Sequence, residues 1–292
     1  MMTTGLLTRL GRVSCVINPL SGSTPANAPD LVREKLSVLQ DQPRLHVAEE
    51  HNVLEVIQAA LADKPDVLIV WGGDGTIACA LRQAGPEGPA VLPLPGGTMN
   101  LLPLRVLGED GMQEGILDRA LEGGQIRAMP CGEIIGGERF FVAAMIGDLT
   151  RLAHSREALR EGKILEAAEI VHDGSALALK SNLSWRAPGR RSQTATALTV
   201  NINPETPGVL EVATIDPDNL LELARISFDM VRDGWRKAES IQISDASAVE
   251  VSLIEARAIS LTLDGELMDL PSPLRFRRID QAAWIFVPAM KS

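Results

Sequence analysis

The sequence predicts a parallel α/β domain followed by an all-β domain. Three observations carry this. Short apolar runs alternate with helical patterns up to about residue 125, the mark of βαβ units around a parallel sheet. Beyond that point the period shortens to closely spaced strands, as in an antiparallel sandwich. The chain of 292 residues is also long enough for about two domains at ~150 residues each.

The elements follow in order. Val13 to Ile17 is the first strand, ending at Asn18-Pro19. After the polar loop Ser21-Gly22-Ser23-Thr24, a helix is expected from about Asp30 to Gln40. Val53, Val56, Ile57, Ala60 and Leu61 repeat at helical spacing behind Asn52, a residue suited to cap a helix start. Val67 to Trp71 is apolar throughout, as expected of a strand buried on both faces. Gly72-Gly73-Asp74-Gly75-Thr76 then leads into a helix from Ile77 to Gln83. Ala90 to Leu94 is a strand within the proline-rich, turn-and-loop stretch Gly88 to Leu104, followed by the glycine turn Pro95 to Thr98. A helix from Met112 to Glu122 stops at Gly123-Gly124.

The period then changes. Cys131 to Ile135 and Glu138 to Met145 form a predicted hairpin around Gly136-Gly137, with a primed turn. Helices are expected at His154 to Val171 and at Asn219 to Trp235. Strands are expected at Thr194 to Asn203, Val209 to Ile215, Ile241 to Ser244, Val249 to Ile254, Ile259 to Leu263, Leu274 to Arg278 and Ala283 to Val287. The expected domains are 1–128 and 129–292, with the last strand free to return to the first.

Composition narrows the function. Hydrophobic residues make up 45%, charged residues 23%, and mean hydropathy is +0.08, which exclude a disordered or coiled-coil chain. A net charge of −10 with 3% aromatics and no tyrosine disfavours nucleic acid as a partner. It also disfavours polybasic anchoring on anionic lipid, so any membrane contact is expected to be shallow, apolar and salt-tolerant. Cys15, Cys79 and Cys131 make neither a disulfide framework nor a zinc spacing. Nothing reads as a signal peptide or a membrane span, so a cytoplasmic, reducing location is expected, peripheral at the inner membrane surface if lipid is bound.

Three loops carry the chemistry. Gly72 to Thr76 joins a buried strand to a helix, where glycines admit an anionic ligand and the helix start offers free N–H groups. Asn18-Pro19-Leu20-Ser21-Gly22 and Pro95-Gly96-Gly97-Thr98-Met99-Asn100 also follow strands, so small-residue loops line one sheet edge, where open α/β sheets bind ligands. Neither a Walker A loop nor a G-x-G-x-x-G is present. His46 and His51 are spaced wrongly for one helix face and have no third ligand nearby. The apolar helix around Leu220 to Met230 suits core or interdomain packing, with a lipid-facing patch as its other reading. Arg186, Arg190 and Arg191 gather about Pro188-Gly189 as a solvated loop, with headgroup attraction as the alternative.

These motifs, Asn18-Pro19-x-Ser21-Gly22, Gly72 to Thr76 and Pro95-x-Gly97-Thr98-x-Asn100, resemble in order those of the diacylglycerol kinase catalytic family, which includes bacterial lipid kinases, sphingosine kinases and ceramide kinases. Asp264-Gly265-Glu266 resembles that family's C-terminal Asp-Gly-Glu; on its own it reads as a hairpin turn. The resemblance implies a Rossmann-like nucleotide domain, a β-sandwich and an active site between them. It implies ATP and Mg²⁺ as cofactors and a phosphotransferase acting on a lipid hydroxyl at a membrane surface. Asn18, Pro19, Ser21, Gly22, Gly72, Gly73, Asp74, Gly75, Thr76, Gly97, Thr98 and Asn100 would hold the nucleotide. Asp74 would organise Mg²⁺ through it, and Glu266 or Asp74 would be the catalytic acid or base. The chain departs from the pattern at Ala78-Cys79, Leu101, Glu49-Glu50-His51 and Pro207-Gly208, the last replacing an Asp-Gly that helps to hold a structural Mg²⁺ in some bacterial members. An NAD kinase, which shares Gly-Gly-Asp-Gly-Thr, and a nucleotide- or lipid-binding regulator without turnover are the alternatives. The acceptor lipid and oligomeric state stay open, a homodimer being one option.

Overall fold

A computed structural model describes residues 10–50, 52–112, 115–147, 183–203, 206–216, 240–253 and 258–289. The helices expected at 154–171 and 219–235, and His51, lie outside the described residues. The chain divides into two compact units, Met1–Pro130 with Asp280–Ser292, and Cys131–Ile279.

The first unit is a parallel sheet wrapped by helices. Strands β1 (Val13–Ile17), β2 (Arg44–Val47), β3 (Val67–Gly72) and β4 (Ala90–Pro95) lie in the order β2-β1-β3-β4, all parallel. Helices α1 (Ala28–Leu36), α2 (Val53–Ala62), α3 (Asp74–Ala84), α4 (Leu101–Gly111) and α5 (Ile116–Glu122) connect or follow them. The end of β16 (Leu274–Pro288) joins the far side of β4, also parallel, with Trp284 opposite Ala90. β1 and β3 are buried almost throughout, as strands of a helix-covered parallel sheet are, and Val16, Ile17, Leu68 and Val70 have no exposure; the polar side chain, Ser14, donates its hydroxyl to Asp63 Oδ2 at 3.2 Å. β2 was not delineated from the sequence. Its Arg44-Leu45-His46-Val47 alternates and is only half-buried because it is an edge.

Several expected boundaries are corrected here. Leu101–Gly111 is helical, with a kink at Gly108 (φ 71°), although Pro103 lies in it. Pro103 falls in the first turn, where its missing N–H has no partner to lose. α3 begins at Asp74, three residues before Ile77, with Gly73 as its N-cap. Asn52 does precede α2, but its side chain makes no bond to the helix; Asn52 Oδ1 instead accepts the Glu49 N–H at 2.8 Å.

The second unit packs two β-layers about one apolar core. An antiparallel sheet runs β12-β11-β10-β7-β14-β15, formed by Ile241–Ala246, Leu210–Ile215, Ala197–Asn201, Ala143–Gly147, Ala258–Leu263 and Glu266–Pro271. Opposite it lie β13 (Ala248–Leu253), β8 (Leu183–Arg186), β9 (Gln193–Ala195), the start of β16, the end of β5 (Gly124–Ile134) and β6 (Arg139–Phe140). Ile146, Val200, Val212 and Leu261 from the first layer meet Trp185, Val251, Leu274 and Phe276 from the second. The fold class expected from the sequence is the one observed, an α/β core plus an antiparallel β-layered unit.

The hairpin at Gly136-Gly137 is real but its turn is not primed. Gly137 N–H bonds to Ile134 O at 2.9 Å, which centres the turn on Ile135-Gly136, and of these only Gly136 has positive φ, at 88°. That is the pattern of a type II turn. The two segments expected at 274–278 and 283–287 are one continuous strand, β16. Among the described residues no helix is long and apolar enough to cross a membrane.

Candidate functional site

The order β2-β1-β3-β4 makes β1 a branching point, since the chain leaves it toward β2 and returns on its other side at β3. Open α/β sheets place ligands at this point, beyond the carboxyl ends of the strands. Ile17 is opposite Trp71 and Gly72 is opposite Pro95, so Asn18, Gly72 and Pro95 emerge at one level. The three sequence-predicted loops therefore share one edge.

Hydrogen bonds lock these loops together. Asn18 N–H donates to Trp71 O at 2.8 Å, and Asn18 Nδ2 donates to Thr76 Oγ1 at 2.9 Å. Gly73 N–H donates to Ser21 Oγ at 3.0 Å, and Gly96 N–H to Gly72 O at 3.0 Å. Ser23 holds the third loop from the first, its N–H on Gly96 O at 2.8 Å and its Oγ on Gly97 O at 2.7 Å. Ser23 and Thr24, whose hydroxyl also reaches Gly96 O, were not singled out as site residues. Their signal was weak, a pair of hydroxyls after Ser21-Gly22.

The glycines have distinct reasons to be glycine. A Cβ on Gly97 would stand 2.8 Å from Gly73 Cα, a backbone atom that cannot give way. A Cβ on Gly22 would meet Thr98 Oγ1 at 2.7 Å. Gly73 differs, because its Cβ would stand 3.5 Å from Gly97 Cα, an ordinary contact, and its φ of −79° suits any residue. The protein itself does not require glycine at 73.

The start of α3 supplies the anion-binding groups. Ile77 N–H makes the bond to Gly73 O at 3.1 Å, so the amides of Asp74, Gly75 and Thr76 have no carbonyl four residues back within the helix. They and the helix dipole give this loop its positive end.

Asp74 does not cap its own helix. Its Oδ1 accepts the Leu102 N–H at 2.8 Å and so caps α4. Asn100, at φ 51° and at the N-cap of α4, grips Gly97 on both sides: Oδ1 accepts its N–H at 2.8 Å and Nδ2 donates to its O at 3.0 Å. Asn100 braces the third loop. For Mg²⁺ the donor set fits a shared site only: Mg²⁺ is commonly held by one or two carboxylates plus nucleotide phosphates. Asp74 can supply one carboxylate, and no group of three His, Cys, Asp or Glu residues is found among the described residues.

In the second unit, Asp264 and Gly265 form the two-residue turn between β14 and β15, with φ of 50° and 92° and with Leu263 opposite Glu266. Both positive φ values suit a type I′ turn, which Asp-Gly favours. The Asp264 carboxylate accepts the N–H groups of Phe141 at 2.7 Å, Val142 at 2.7 Å and Ala143 at 3.1 Å. It thus satisfies the backbone where the chain leaves β6 for β7. Glu266 heads the edge strand β15, exposed, with no ion pair among the described residues. One motif holds a structural acid and an available one.

His46 pairs with a carboxylate. Its Nε2 lies 2.7 Å from Asp63 Oδ2, and Arg44 Nη1 reaches Asp63 Oδ1 at 2.5 Å. Burial would raise the Asp63 carboxyl, but the hydrogen bonds from His46 and Arg44 outweigh it and hold the group below its ordinary value.

Comparison with known proteins agrees with the motif reading. Residues 12–134 match the family model of the diacylglycerol kinase catalytic domain, so the likeness to that family is shown over the loops described above. A crystal structure of a diacylglycerol kinase from Bacillus anthracis strain Sterne superposes with a TM-score of 0.67 at 15% identity, covering 97% of this chain and 100% of that one. A second protein of the same organism, provisionally described as a diacylglycerol kinase, gives 0.68 at 17% identity with the same coverage. At such identity these structures speak for the fold.

Proposed function

We propose that this protein is an ATP-dependent lipid kinase that transfers the γ-phosphoryl group of ATP to a lipid hydroxyl. The observation that carries the reading is the joined edge: a bare helix start at Asp74 to Thr76, flanked by two loops held in place by Ser21, Ser23 and Asn100. The kinase family match covers that edge.

Each residue then has a physical task. The amides of Asp74, Gly75 and Thr76 receive phosphate oxygens, and Gly73 leaves room for them. Ser21 and Thr76 fix the loop through hydroxyls already engaged with Gly73 N–H and Asn18 Nδ2. Asp74 holds Mg²⁺ jointly with the phosphates, while its Oδ1 keeps α4 in register. Bound Mg²⁺ supplies charge neutralisation on the transferring phosphoryl group. Glu266, exposed and without an ion pair among the described residues, is the base that accepts the acceptor hydroxyl's proton.

The test is transfer from labelled ATP to a panel of diacylglycerol, sphingoid base, ceramide and NAD, alongside a Mg–ATP thermal shift. A labelled lipid supports the reading. Label on NAD alone replaces it with an NAD kinase, and a thermal shift without product replaces it with a regulator. Gly73→Ala sharpens the nucleotide assignment, because the added methyl fits the free protein. It should fold and lose most of the Mg–ATP shift; an unchanged shift would remove phosphate from this loop.

A further inference from the structure

We infer that the outer face of the β8–β13–β16 layer is a docking surface for an anionic phospholipid bilayer. The registers place Arg186, Glu250 and Arg275 in one cross-strand row, with Glu250 opposite both arginines. Arg186 Nη2 and Arg275 Nε each reach the Glu250 carboxylate at 2.7 Å. Beside this row Glu133 is gripped in the same way, by Arg139 Nε at 3.2 Å and by Arg277 Nε at 2.6 Å. Glu250 thus serves two guanidiniums and can neutralise only one, while Glu133 is shared between Arg277 and Arg139.

The exposures separate the roles. Arg186, Arg275 and Arg277 are 60%, 62% and 54% exposed, whereas Glu250 and Glu133 are 24% and 9%. The acids lie beneath and hold the guanidiniums, while the arginine side chains stay more than half exposed. Arg190 and Arg191, exposed in the turn after β8, extend the patch; Glu138 in the β5–β6 turn offsets one charge. In a chain of net charge −10, the described residues of this face thus carry more arginine than acid, and arginine is the side chain whose fork matches phosphate oxygens.

A second observation selects a bilayer over other polyanions. Ile135 is 53% exposed at the tip of the β5–β6 turn, and its N–H bonds to Arg275 O at 2.8 Å, so an apolar tip stands beside the arginine row. Cationic heads around an exposed apolar side chain suit the headgroup boundary of a membrane. The aromatic side chains of these strands, Trp185 and Phe276, point into the core at 3% and 0% exposure, so none is presented for base stacking. The net charge of the whole chain concealed this face and led to the expectation of salt-tolerant, apolar association.

The inference deepens the proposed function by naming where a lipid kinase would meet its membrane, but its measurement needs neither nucleotide nor turnover. The full chain is floated with vesicles of phosphatidylcholine alone and with about 30 mol % phosphatidylglycerol, at ~0.1 M and ~0.5 M salt. Binding should favour the anionic vesicles about tenfold or more and weaken at high salt. Arg186→Gln/Arg190→Gln/Arg191→Gln should lower it about tenfold, and Ile135→Ser about threefold at either salt. Arg190→Gln/Arg191→Gln leaves both arginine–glutamate triads intact and should still lose binding several-fold, which covers a fold defect in the triple variant. Equal binding to the two vesicle types, or variants that bind like the parent, would overturn the proposal. Capture by an RNA oligomer with none by vesicles would overturn it in favour of nucleic acid. Turnover on a short-chain lipid in neutral micelles is read separately; its absence would sink the kinase reading and leave the docking face standing.

Discussion

Among the cysteines, burial decides reactivity. Desolvation pushes the thiols of Cys15 and Cys131 up to about 12, so both stay protonated and unreactive in the folded protein. Iodoacetamide at pH 8 followed by mass spectrometry should therefore leave them unlabelled until denaturant is added. Labelling of Cys15 in the native state would show that β1 is far less closely packed than described. The glycines separate in the same physical way. Gly97→Ala forces a methyl against the Gly73 backbone and should cost about 1–3 kcal/mol, read as a lowered denaturant midpoint. Gly73→Ala should cost less, about 0.5–1 kcal/mol, the difference between the two as N-caps. The motif pattern named both glycines without distinguishing them, because a loop–loop approach depends on tertiary packing that no local pattern encodes.

Elements with a strong period or a glycine stop were legible, and those defined by their partners were not. β3 and α2 could be read from their apolar spacing. β2, β8 and β15 could not, since they are short or exposed edge strands whose strand state comes from pairing with β1, β13 and β14. α4 was hidden by Pro103, a helix breaker everywhere except the first turn, where it sits. The Asp-Gly-Glu segment shows both outcomes at once. Its turn could be read locally, but the role of Asp264 in closing three amides some 120 residues upstream could not. The two acids should consequently fail differently. Asp264→Ala orphans three N–H groups and should destabilise the chain by about 2–4 kcal/mol in urea unfolding. Glu266→Gln should leave the unfolding midpoint unchanged and lower kcat by ~10²–10⁴ if it is the base. A Glu266→Gln enzyme with parental kcat removes that role, and a Gln variant that also unfolds early would mean that the two acids act together in the turn.

At the scale of the whole molecule, each unit carries a carboxylate whose charge the native state favours, so acid should weaken both. Asp63 in the first unit is pulled down by His46 and Arg44 despite its burial, and Glu250 in the second by its hydrogen bond to Arg275 and by the charge of Arg186. For a carboxyl whose folded value lies below its unfolded one, the unfolded chain binds the proton first as pH falls. The stabilisation is therefore complete above the ordinary values of 3.8 and 4.5 and is lost as pH drops through and below them. Thermal melts should show a flat Tm from pH 7 to about 5.5 from these two groups and a decline through pH 4. Glu250→Gln should destabilise the protein at pH 7 by the worth of a carboxylate shared by two part-exposed arginines, about 1 kcal/mol, read as a lowered Tm. The same variant should converge on the parent below pH 4, where the parent's carboxyl is itself being protonated. A constant gap between the two curves down to pH 3 would mean that Glu250 acts through packing, and that the arginine row is held by something other than its charge.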